Sequence, residues 1–214
     1  YLLDLFWARG GTSHRLIQNS GSKSARTDGV EMVEQARGTL AGEDVAYGEF
    51  YDNDQERHWG YRGSGLQYLK NVERSSGPAE SFRITWPIHG VEDAYMRLHN
   101  LTQVDEVALA DGEPSRGRPD RIRYSVRSRF GDDLESQFIS VIEPYRAEPF
   151  IERVKVLKRI EEDGQPFAVA VEVTLKDGRR DVLLVREEAG ELAVDDLSLN
   201  GRLGLVRYDA AGEP

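Results

Sequence analysis

Residues 167–175 read FAVAVEVTL, and every second position is apolar: Phe167, Val169, Val171, Val173 and Leu175. Side chains alternate across a β-strand, so this spacing sends all five to one face and leaves Glu172 and Thr174 toward water. Asp177-Gly178 comes next, followed by a second apolar run at 182–185. An Asp-Gly pair supplies the positive φ angles of a tight turn, so residues 167–185 predict an antiparallel hairpin.

The pattern recurs along the chain. Phe82, Ile84 and Trp86 alternate with polar or small residues, as do Ala94, Met96 and Leu98. Turn signals stand at Asp111-Gly112, Gly131-Asp132, Asp163-Gly164 and Asn200-Gly201. No stretch keeps a helical apolar period for more than about two turns. Turns spaced by about 8 to 15 residues, with no helices between them, favour antiparallel pairing over a parallel α/β arrangement. The expected fold is all-β, a large antiparallel two-sheet β-sandwich forming a single domain over residues 1–214. Residues 38–65 break the pattern, and a connection that long and that rich in polar and aromatic residues reads as a functional loop.

Composition removes several classes of function. With no cysteine, disulfides, thiolate metal sites and a cysteine nucleophile are excluded. The apolar runs are strand-length, far below the roughly 20 residues of a membrane helix, so no membrane partner is expected. A net charge of -10 argues against nucleic acid. No Ser-His-Asp elbow, phosphate loop or zinc-helix motif occurs.

Local sign can oppose net sign, because arginine outnumbers lysine and its planar fork matches carboxylates and sulfates. Arg121, Arg123, Arg127 and Arg129 fall on odd positions of one strand, with Ile122, Tyr124 and Val126 between them. Alternation predicts a row of guanidiniums roughly 27 Å long at about 3.3 Å per residue, with the even residues packed inward. Such a row suits an anionic chain; the plainer reading is cross-strand pairing with acids such as Glu135. Tyr95, Arg97 and His99 share a second face, opposite Ala94, Met96 and Leu98, and combine an aromatic, a cation and an imidazole, groups that suit an acidic sugar; the plainer reading is the chance mixture of any outer strand face. In the long loop, Tyr51, His58, Trp59 and Tyr61 offer planes for sugar rings, or simply clamp the loop.

Two stretches carry a family likeness. Residues 1–19, YLLDLFWARGGTSHRLIQN, place an acid in an apolar strand, then Gly10-Gly11, then His14. Residues 138–151 read FISVIEPYRAEPFI, where the prolines impose an extended corner that Glu143 and Arg146 could tie together. Together they resemble the C-terminal β-sandwich of bacterial heparinase II/III-like polysaccharide lyases. In that family the first stretch commonly continues from its histidine to an aspartate and to a second histidine; here Arg15 and Asn19 stand in those places.

The resemblance implies a segment of a larger protein, consistent with a chain that opens within strand pattern, with a helical toroid domain upstream as its partner. It implies β-elimination on an acidic polysaccharide containing uronic acid, and a periplasmic or secreted location. The family's catalytic tyrosine comes from the toroid and its histidine from a GHGHAD-like strand. Neither occurs here, so the chain alone is expected to be inactive. Within it the candidate catalytic residues are His14, Tyr95 and His99, with Tyr145 behind them; Arg97, Arg121, Arg123, Arg127, Arg129, Trp59 and Tyr61 are the candidate substrate contacts. A divalent metal remains open for the full-length family, and no residue here is assigned to one. The alternative is a non-catalytic carbohydrate-binding or structural sandwich.

Overall fold

The alternating segments form antiparallel strands in a computed structural model that describes residues 1–49, 64–114, 119–160 and 165–214. Strand accounts for 61% of the described residues, above the half that an all-β reading requires. In order they are β1 (Leu2–Arg9), β2 (Ser13–Gln18), β3 (Arg26–Asp28), β4 (Met32–Glu34), β5 (Leu69–Ser75), β6 (Phe82–Pro87) and β7 (Ala94–Asn100). They continue with β8 (Glu106–Gly112), β9 (Ile122–Phe130), β10 (Glu135–Arg146), β11 (Ile151–Ile160), β12 (Ala168–Leu175), β13 (Arg180–Val194) and β14 (Leu197–Tyr208). No helix among the described residues is long and apolar enough to cross a membrane.

Two five-stranded sheets make the sandwich, one ordered β1-β10-β7-β6-β3 and the other β2-β9-β8-β5-β4. Strands that are neighbours in sequence hold equivalent places in the two sheets, so the chain repeatedly crosses from one layer to the other. The first crossing needs Gly10 and Gly11, whose φ angles of 81° and 78° suit residues without a Cβ. Gly10 N–H donates to the Leu134 carbonyl at 2.7 Å and Leu134 N–H to Gly11 at 3.1 Å, which ties this corner to the one between β9 and β10. Between the layers Phe82, Ile84, Trp86, Leu98 and Phe138 of the first sheet meet Val107 and Leu109 of the second.

A third sheet, β11-β12-β13-β14, follows the sandwich and packs on the outer face of the first sheet. Val169, Val171 and Val173 of β12 bury Ile139 and Val141 of β10 and Leu3 and Leu5 of β1. The hairpin at 177–178 is present: Leu175 N–H donates to the Arg179 carbonyl at 2.8 Å, and Gly178 takes φ 88°. Its other face is a correction. Ala168 and Ala170 are also buried, because Leu192 and Val194 beyond a bulge in β13 cover them. Glu172, expected in water, is buried between Arg153 at 3.1 Å and Arg180 at 2.9 Å, while Thr174 is half-buried.

Two turn expectations also fail. Asp111-Gly112 ends β8, still paired with Arg123 and Ile122. Asn200-Gly201 lies inside β14 opposite Glu191 and Gly190; the chain reverses instead at Asp195-Asp196, where Asp195 takes φ 49°. Gly131-Asp132 does turn, between β9 and β10. Asp163-Gly164 lies outside the described residues.

Candidate functional site

The third sheet covers the outer face of the first only over β1, β10 and the end of β7. What remains open is the outer face of β7, β6 and β3, and there the polar positions of the strand alternation line up. Cross-strand register puts Glu143, Arg97, Thr85 and Arg26 in one row, and His99, Arg83 and Asp28 in the next. Tyr145 and Tyr95 form a third row, their rings stacked with centroids 5.1 Å apart. Glu152 and Arg153, near the start of β11, wall one side of a shallow cleft of about 260 Å³ that His99, Arg83 and Asp28 also line. An adjoining depression of similar size is lined by Arg26, Arg83, Arg97, Thr85 and Asp28.

The side chains differ in freedom. Arg97 is held by Thr85 Oγ1 at 3.2 Å and by the Tyr145 hydroxyl at 3.0 Å, with its guanidinium 5.0 Å from the Tyr145 ring centre. Arg83 pairs with Asp28. Arg26 has no side-chain partner among the described residues, so its five donors are available.

Beneath the face sits a buried acid. Glu143 is fully buried, and one of its oxygens accepts the backbone N–H groups of Phe150 and Ile151 at 2.6 and 2.7 Å. The other is 3.0 Å from His99 Nε2. Burial alone would raise this carboxyl; the His99 hydrogen bond and the two amides outweigh it and hold the pKa below the ordinary value. An ionised Glu143 can only accept, so Nε2 carries the proton in this bond and a neutral His99 presents Nδ1 as an acceptor. Nδ1 has no partner among the described residues. A carboxylate that orients an imidazole in this way is the arrangement used for general acid–base work.

The arginine strand is reversed from expectation. The odd positions of β9 face the sandwich interior, and Val126 on the even side packs with Leu40, Leu66 and Leu69, so both faces are covered. Arg127 is fully buried, reaching Asn100 Oδ1 at 2.8 Å and Gln18 Oε1 at 2.7 Å, and burial pushes its pKa down to about 10 despite the nearby Asp4 carboxylate. Arg123 is buried too, bonded to Asp111 at 3.1 Å, to the Asn71 carbonyl at 2.7 Å and to Glu73. Arg121 is exposed, 3.8 Å from Asp111, and Arg129 lies 3.3 Å from Asp105. The four therefore form no continuous outer track. Acids from other strands and turns do pair with Arg121, Arg123 and Arg129, but Glu135 lies beside Arg9 instead, at 3.4 Å.

His14 is not brought to the open face. It lies on β2 of the second sheet, with Nε2 2.6 Å from the Gly10 carbonyl and Nδ1 2.8 Å from Ser136 Oγ. A carbonyl only accepts, so Nε2 is the donor and Nδ1 takes the Ser136 hydroxyl in the neutral ring. Both nitrogens are occupied, and His14 braces the Gly10-Gly11 corner. Trp59 and Tyr61, with Tyr51 and His58, lie outside the described residues. Among the described residues no cluster of three or more histidines and acids is placed to hold a metal ion.

Sequence reasoning missed Arg26, Arg83 and the partnership of Glu143 with His99. β3 is only three residues long, too short for alternation to register. Glu143 was legible as a tie across the Pro144 corner, but the groups it ties are the Phe150 and Ile151 amides, not Arg146. No protein-family model matches the sequence, and no curated protein matches it.

Proposed function

We propose that this chain binds an acidic polysaccharide on the open face of its first sheet, as the β-sandwich part of a polysaccharide lyase that acts on uronic-acid chains by β-elimination. The observation that carries the reading is the placement of Arg26, which has no side-chain partner among the described residues, and a braced Arg97 in one depression, with the Glu143-held His99 in the shallow cleft beside it; Asp28 and Arg83 line both. Arg26 and Arg97 fork the uronate carboxylate. The exposed part of the stacked Tyr95 and Tyr145 pair borders a sugar ring.

In β-elimination a base takes the proton beside the carboxylate, the C–H electrons form the ring double bond, the glycosidic C–O bond breaks, and the leaving oxygen gains a proton. His99 Nδ1 suits one of these transfers; the other belongs to the upstream helical domain that the family likeness implies. A periplasmic or secreted location follows from the same reading.

A second reading, glycan binding without chemistry, is favoured by the depth of His99, whose side chain is only 10% exposed. Titration of the chain with acidic and neutral oligosaccharides tests binding. Affinity for a uronate tetrasaccharide should fall about tenfold, or 1.4 kcal/mol, in Arg26→Ala and should weaken with salt. Equal affinity for neutral and acidic sugars would sink both readings. Adding the upstream domain and following unsaturated-uronate absorbance separates them: turnover that depends on His99 supports the lyase, and binding without turnover supports the module.

A further inference from the structure

The opposite edge of the first sheet ends in an unfilled strand position. β1 pairs with β10 on one side and, among the described residues, with no strand on the other. Above it, β13 of the third sheet lays Leu183 and Val185 on Tyr1, Leu3 and Leu5. β14 then extends one strand beyond β1. Register places Leu205 beside Leu183 and Leu203 beside Val185 on this same face, but with no described residue beneath them they are 56% and 70% exposed. Between β1 and the overhang lies a groove of about 1070 Å³.

Its shape is what one more strand would fill. Paired strands lie about 4.8 Å apart and stacked sheets about 10 Å apart, so a strand beside β1 would sit under Leu203 and Leu205 with its outward side chains against them. The lining carries Arg179, Arg186, Arg202 and Arg207 against Asp4 and Asp181, a positive balance within a chain of net charge -10. Asp181 is spent on Arg207 at 2.7 and 2.9 Å and on the Tyr1 hydroxyl at 2.5 Å. Arg202 is exposed and has no partner among the described residues.

We propose that β1 accepts an extended segment of a partner protein, apolar at alternate positions and acidic at its flanks, by strand addition. Backbone bonds to the β1 edge would give affinity, and the leucine floor with the arginine rim would set the sequence. A second copy does not fit: antiparallel pairing of two β1 edges would drive each β14 overhang into the β13–β14 hairpin of the other. This surface is separate from the glycan face, and neither reading depends on the other.

The test uses a labelled peptide of alternating valine and threonine flanked by glutamates, with a lysine-flanked peptide of the same core. Anisotropy should show the glutamate peptide binding at least tenfold more tightly, and hydrogen exchange should show β1 amides newly protected. Leu205→Glu should cost at least tenfold in binding. Arg202→Glu, an exposed change that leaves the core intact, should weaken the glutamate peptide and strengthen the lysine one. Equal binding of the two peptides, no protection of β1, indifference to both substitutions, or a dimer with β1 already protected would each overturn the proposal.

Discussion

Glu143 and His99 are joined at 3.0 Å through a carboxylate that simultaneously accepts two backbone amides from the turn into β11. One buried acid thus orients an imidazole of the first sheet and anchors the strand that walls the cleft. Site geometry and attachment of the third sheet are the same contact.

Glu143→Gln should therefore loosen both. An amide still accepts through its oxygen, but it cannot carry charge, and its NH₂ meets either His99 or the two backbone donors. The expected loss is roughly 2–3 kcal/mol, read as a fall in the urea midpoint at unchanged slope. A loss below about 0.5 kcal/mol would show that the latch is incidental.

Acid should unfold the protein through a small set of lowered carboxyls. The Arg9 fork, at 2.6 Å on both oxygens, and the Phe167 amide hold Glu187 down at about 2, and Glu143 is lowered as described. Each folded pKa lies below its unfolded value near 4.3, so their stabilisation is complete above that pH and is lost as pH falls through the folded value. Urea midpoints measured from about pH 6 down toward 2 should decline, and Glu187→Gln should flatten the lower part of the curve.

Arg26 and Arg127 should separate function from stability. Arg127→Ala leaves Asp4, Gln18 and Asn100 facing an uncompensated void and should cost about 3–5 kcal/mol. Arg26→Ala should stay within about 0.5 kcal/mol of the wild type in stability while losing glycan affinity. Melting curves beside sugar titrations check both. A folded Arg127 variant that loses only binding would restore the β9 arginines as a binding track.

The two Asx-Gly pairs of the C-terminal sheet should behave differently. At Gly178 φ is 88° and an added Cβ would meet Ala210 Cβ at 3.1 Å, so Gly178→Ala should cost roughly 1–2 kcal/mol. At Gly201 no positive φ is required and the nearest atom, Leu199 Cδ1, is 3.6 Å away, so alanine should be neutral or stabilising by a few tenths of a kcal/mol. Thermal denaturation of the two variants side by side decides it.

Sequence alone determined what local rules govern. Period-2 apolar spacing forces strands wherever it occurs, and it placed Phe82, Ile84 and Trp86 on a buried face and closed the hairpin at Gly178. It also put Tyr95, Arg97 and His99 on one side of β7, because alternation needs no partner to operate.

Tertiary structure decided what lies against each face. Alternation says that Arg123 and Arg127 share a side, but whether that side meets water depends on strands distant in sequence. Here Asp111, Asn100 and Gln18 come from three other segments to satisfy the guanidiniums inside. The same holds for Glu172, buried by arginines on either flank, and for Arg26, added to the site through a three-residue strand. Backbone periodicity is a property of neighbouring residues, whereas burial, charge pairing and the cleft are set by contacts between layers, which no local pattern encodes.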